Sequence, residues 1–122
     1  MKIIKTNREL LYKKIKIAHQ KSFYSRRKLP NLIAVSKKQN IDKIIEALEC
    51  GHRVFGENKV QEAEKKWLEL SNKYEKLELH LIGHLQTNKV KKAVRIFDFI
   101  HSLDRESLAY EIHKNMNISR TK

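Results

Sequence analysis

Four short apolar runs recur along this chain, each followed by a stretch with helical spacing, and that alternation constrains the fold more than any other feature. The runs are LIAVS at 32–36, RVFGE at 53–57, LHLIG at 79–83 and IFDFIHSL at 96–103. Each is too short for a buried helix and is bounded by turn residues or charges, so each is read as a buried strand. Between the first two, Ile41, Ile44, Ile45 and Leu48 repeat at helical spacing, Asn40 can cap the start, and Gly51 follows the end. Val60, Ala63, Trp67 and Leu70 mark the next helix, Val90, Ala93 and Val94 a shorter one, and Leu108, Ala109 and Ile112 a last one after Asp104. A further helix is expected ahead of the first strand, from Asn7 to Ser22. There Thr6-Asn7-Arg8-Glu9 reads as a capping box, and Leu11, Ile15 and Ala18 share a face. Strand–helix alternation implies a parallel sheet, because a helix must return the chain between parallel neighbours. The fold class is therefore α/β: an N-terminal helix followed by four βα units. No linker rich in Pro, Gly or Ser divides the 122 residues, so one domain over 1–122 is expected.

Sites of parallel α/β folds collect at the carboxyl ends of the strands. Here those ends carry Ser36-Lys37, Glu57-Asn58, His84 with Gln86, and Ser102 with Asp104. Lys37 is the residue with the most distinctive chemistry. An amine at a dehydrated strand end is pushed toward its neutral, nucleophilic form, and the adjacent charge of Lys38 pushes the same way. A neutral amine attacks aldehydes. On position alone Lys37 is a candidate, with simple solvation the competing reading.

Lys and Arg outnumber Asp and Glu by 27 to 14, a net charge of +13. That excess would suit a nucleic acid, but the lysines are scattered among glutamates with no basic arm and no nucleic-acid-binding motif. Nucleic acid is not expected as a principal ligand, and a basic nucleic-acid-binding module stays only as an alternative. The single cysteine, Cys50, excludes an intramolecular disulfide and a CxxC site. His80, His84 and His101 lack the helical HEXXH arrangement of a zinc site, and no metal is expected. Glycine-rich nucleotide loops and the GxSxG elbow are absent from the sequence. The opening MKIIKTNREL has neither a signal-peptide core nor a membrane span, so a soluble, cytoplasmic protein with no membrane partner is expected.

LIAVSKK at 32–38, GHRVFGENKVQEAEKKW at 51–67, LHLIGHLQTNKVK at 79–91 and FDFIHSLDRESLA at 97–109 resemble, in order, four motifs of the pyridoxal phosphate homeostasis family, the YggS/PROSC group. The resemblance covers nearly the whole chain and departs at Lys59, where the family usually has Tyr. It implies the N-terminal half of an alanine-racemase-like (β/α)8 TIM barrel. It also implies pyridoxal 5′-phosphate (PLP) held as a Schiff base on Lys37, with Asn58 beside the cofactor and His80 lining the same mouth. Members of the family are thought to buffer or deliver PLP, so intracellular PLP homeostasis is the implied function and no enzyme reaction is expected. A racemase would need a second base from a half that this chain lacks. Family members run to about twice this length, and the remaining half supplies the phosphate cradle. An isolated half would leave two sheet edges and one sheet face open. The expected partners are therefore PLP and either a complementary C-terminal half chain or a second copy, with a truncated, non-functional remnant as the alternative.

Overall fold

A computed structural model describes residues 3–118 and Thr121. The elements are α1 (Ile3–Gln20), β1 (Ala34–Val35), α2 (Ile41–Glu49), β2 (Val54–Glu57), α3 (Val60–Lys73), β3 (Glu78–Leu81), α4 (Val90–Ile96), β4 (Phe99–Ile100) and α5 (Glu106–Lys114). All three strand pairings are parallel, and the sheet order is β1-β2-β3-β4. The α/β class and the four parallel strands are as the alternation of the sequence requires.

The chain forms two compact units. One comprises residues 1–32 and 40–52, hence α1 and α2; the other comprises 33–39 and 53–122, hence the sheet with α3, α4 and α5. In the first, Asn40 accepts the Asp42 amide at 2.9 Å and Gly51 takes φ 95°, so the expected cap and stop of α2 are both in place. The start of α1 differs from the sequence reading. The helix already runs at Ile3, so Thr6 and Asn7 lie inside it and do not cap it. Its face differs too: Leu11 and Ala18 are exposed, while the less exposed stripe is Ile4, Arg8, Tyr12, Ile15 and His19. Arg8 and Tyr12 explain this. The Arg8 guanidinium lies 4.9 Å from the Tyr12 ring centroid, and its Nε donates to Nδ1 of His52 at 3.1 Å. Long amphipathic side chains thus cover the stripe that apolar ones were expected to hold.

In the second unit one sheet face carries the core. Phe55, Leu79 and Leu81 are buried, and Phe55 packs against Trp67 of α3 with ring centroids 4.8 Å apart. Val60, Ala63 and Leu70 of α3, Val90, Ala93 and Val94 of α4, and Leu108 of α5 complete it. The opposite face follows from the two-residue alternation of strands: Ile33, Val35, Gly56, His80, Ile82 and Phe99. None of its side chains is buried, and Val35 is 47% exposed. No helix of this unit covers this side, which is the open sheet face expected of half a barrel. The first and last strands are also shorter than the apolar runs suggested, since Ile96 still belongs to α4 and Leu32 and Ile33 precede β1.

Candidate functional site

The register sets the site. Val35, Gly56, His80 and Phe99 form one row across the four strands. Lys37 and Asn58 each follow that row by two residues, Lys37 in the turn after β1 and Asn58 just past the end of β2. His80 lies within β3, in the row itself. Neither Lys37 nor His80 lines the cleft that holds Asn58.

Lys37 is exposed in the turn after β1, and its amine has no hydrogen bond or ion pair among the described residues. The desolvation expected from its place after an apolar run is absent, because the strand ends at Val35 and Lys37 falls in the exposed turn beyond it. Ser36, one residue earlier, is buried on the core face, where its hydroxyl donates to Glu57 at 2.6 Å.

Asn58 lines a cleft of about 440 Å³ with Lys59, Val60, Gln61, Gly83, His84, Gln86 and Lys89. The chain can cross there only because residue 83 is glycine: a Cβ would lie 2.5 Å from the Asn58 carbonyl oxygen. Ser102 donates to the Gly83 carbonyl, and His84 approaches Asp104 at 3.7 Å. The polar strand ends picked out in the sequence thus meet at one end of the sheet.

His80 stacks on Phe99, with centroids 4.7 Å apart and planes 15° apart, and its Nδ1 lies 2.8 Å from Nε2 of His101. One ring must donate and the other accept. Its Nε2 is buried without a hydrogen-bond partner, since the Glu78 carboxylate at 3.7 Å is beyond hydrogen-bond reach. Burial holds the His80 imidazole below its ordinary value, Glu78 and Asp98 oppose this, and His101 reinforces it. His80 is therefore neutral at pH 7 and has one ring nitrogen to spare.

A buried network missed in the sequence supports the rim. Glu57, fully buried, accepts from Ser36 Oγ and from Trp67 Nε1 at 3.0 Å. Lys66 Nζ donates to the Ser36 carbonyl at 2.5 Å, pairs with Glu62 at 2.7 Å, and lies 3.4 Å from Glu57. Its signal in the sequence is a glutamate closing an apolar run, with a lysine and a tryptophan about two helical turns into the next element. Among the described residues no cluster of three or more His, Cys, Asp or Glu could hold a metal, and no helix is long and apolar enough to cross a membrane.

Known proteins place this geometry. The chain is 40% identical over 93% of its length to the pyridoxal phosphate homeostasis protein of Buchnera aphidicola subsp. Schizaphis graminum, and 36% identical over 98% to that of Vibrio cholerae. The chain belongs to the pyridoxal phosphate homeostasis protein family. It spans about half the length of those relatives, 49% and 51% respectively. The structure of PipY from Synechococcus elongatus PCC7942 with PLP bound superposes with a TM-score of 0.67 at 43% identity, over 84% of this chain and 47% of PipY. A Bifidobacterium adolescentis protein described as unknown superposes at 0.76 with 29% identity, over 91% of this chain and 48% of that one. No family model matches the chain. Four parallel βα units at half the relatives' length correspond to half of the TIM barrel that the resemblance implies.

Proposed function

We propose that this chain binds PLP for intracellular PLP homeostasis, in the cytoplasm, with the cofactor held as a Schiff base on Lys37 and with Asn58 and His80 beside it. The observation that supports the reading is the parallel order of β1, β2 and β3, which carries Lys37 and Asn58 just past the ends of neighbouring strands and His80, whose buried Nε2 lacks a hydrogen-bond partner, on the third. Those residues fit the group's chemistry. Bound PLP supplies an aldehyde, which an exposed primary amine can attack, and polar atoms that a neutral imidazole nitrogen and a side-chain amide can meet. PipY, a relative of the same fold, has PLP bound in its structure.

The role is that of a carrier without turnover, in line with the homeostasis naming of the relatives. The exposed turn after β1 leaves Lys37 in water. Water competes for a Schiff base, so retention of the cofactor requires cover from a complementary chain carrying the other half of the barrel or from a second copy. To test the reading, PLP is added to the chain, the mixture is reduced with borohydride, and the peptides are mapped. A pyridoxyl group on the Lys37 peptide, lost in Lys37→Ala, is expected. Labelling spread evenly over the surface lysines, or none on Lys37 with or without a partner chain, would overturn it.

A further inference from the structure

One helix grips the backbone on both sides of Lys37. Before it, the Ser36 carbonyl accepts from Lys66 Nζ at 2.5 Å; after it, the Lys38 amide donates to Glu62 Oε2 at 2.5 Å. Glu62 and Lys66 stand one turn apart on α3 and pair with each other at 2.7 Å, so the two grips form a single unit. Glu57 anchors that unit to the core through Ser36 Oγ and Trp67 Nε1. The grip holds a strained conformation. Lys38 sits at φ 57°, in the left-handed region that disfavours a residue with a Cβ. Without the Glu62 acceptor the turn would relax and the peptide leaving Lys37 would swing. The Lys66 ammonium, with the Lys38 amide adding to it, outweighs the desolvation that opposes it and keeps the Glu62 carboxyl below its ordinary value, so the acceptor is ionised at neutral pH.

We propose that Glu62 and Lys66 are positioning residues for Lys37: they fix the peptide groups on either side of it, so that its amine leaves the rim of the sheet in one direction while remaining free to react. This rests on the reading of Lys37 as the Schiff-base lysine. Neither residue touches the amine; both act through the backbone.

The test uses the full 122-residue chain, PLP and borohydride, and reads the ratio of label on Lys37 to label on Lys65, an exposed lysine of the same helix. Glu62→Ala should lower that ratio about ten-fold, the scale set by releasing a left-handed residue. Two substitutions should recover it to within about two-fold. Glu62→Gln keeps an acceptor for the Lys38 amide, and Lys38→Gly placed on top of Glu62→Ala lets the turn form unaided. Far-UV circular dichroism on each variant separates loss of positioning from loss of fold, and a merely structural role for Glu62 would not be rescued by Lys38→Gly. A ratio unchanged in Glu62→Ala overturns the positioning role while leaving the Schiff-base reading intact. A parent chain with no preference for Lys37 overturns the Schiff-base reading and the positioning role with it.

Discussion

Glu57 offers the sharpest test of how the rim is held, because its cost can be worked from the donors that converge on it. In Glu57→Ala the Trp67 indole N–H loses the Glu57 acceptor inside the core and the Ser36 hydroxyl keeps only the long contact to the Gly56 carbonyl at 3.4 Å, at about 1–3 kcal/mol each. Lys66 adds less than a buried ion pair would. Its contact with Glu57 is long, 3.4–3.5 Å, while it keeps Glu62 at 2.7 Å and the Ser36 carbonyl at 2.5 Å. Its charge is therefore not stranded, and the full buried-pair penalty does not apply. With the void left by the side chain, the expected loss is about 3–5 kcal/mol. Glu57→Gln should cost about 1–2 kcal/mol, because an amide oxygen at the Oε2 position still accepts from both Ser36 and Trp67.

Trp67 is the only tryptophan and is 2% exposed, so its fluorescence reports unfolding of this core directly. Urea titration at pH 7 should move the midpoint down by about 2–3 M for Glu57→Ala and by about 1 M for Glu57→Gln, taking a slope of about 1.5 kcal/mol per molar. A Glu57→Ala variant within about 0.5 kcal/mol of the parent would refute the accounting. So would a Glu57→Gln variant as unstable as the alanine one, which would mean that the charge facing Lys66, not the acceptor facing the two donors, carries the stability.

Two glycines should respond differently to alanine, as thermal unfolding can measure. At Gly83 the new Cβ would lie 2.5 Å from backbone, so about 1–3 kcal/mol is lost and the Asn58 cleft deforms; at Gly51, open but at φ 95°, about 1–2 kcal/mol is lost through backbone strain alone. The His80 imidazole is held below 6.5 in the folded chain, so the folded state binds fewer protons than the unfolded one as pH falls from about 6.5. Stability should therefore be fully present above pH 6.5 and decline below it, and His80→Leu should flatten that slope in urea midpoints measured between pH 5 and 7.5. Glu62 acts in the same direction but only below about pH 4.5, which keeps the two windows apart.

The parts of the fold legible in the sequence are those set by local chemistry. Asn40 and Gly51 bracket α2 because a side-chain acceptor and a residue free to take positive φ are needed at those positions. The Thr6-Asn7-Arg8-Glu9 signal misled because a capping box states only that a helix can start there. Nothing in it prevents upstream residues from propagating the helix to Ile3. Lys37 and Asn58 were legible as strand-end residues, and they follow the neighbouring parallel strands β1 and β2. The solvation of Lys37 was not legible, since it depends on the strand ending at Val35 rather than on the apolar run before it. The Glu57–Lys66–Glu62 network was equally hidden: it joins α3 to the loop after β1, a relation that periodicity along either segment does not express.

The two sides of the sheet then explain why the rim is rigid while its lysine is bare. On the core side, α3 satisfies Ser36, Glu57 and the Lys38 amide, and none of those groups depends on the opposite face. On the other side, Val35, His80 and Phe99 form a face that no helix of this unit covers, and the His80 Nε2 has no hydrogen-bond partner among the described residues. Covering that face would exclude water from a Schiff base on Lys37 without disturbing the hydrogen bonds that hold its backbone. Orientation of Lys37 and retention of its Schiff base are thus separable. The first is built into this chain by α3, and the second requires whatever closes the sheet, so a covering partner should raise the retention of PLP on Lys37 while leaving its dependence on Glu62 unchanged.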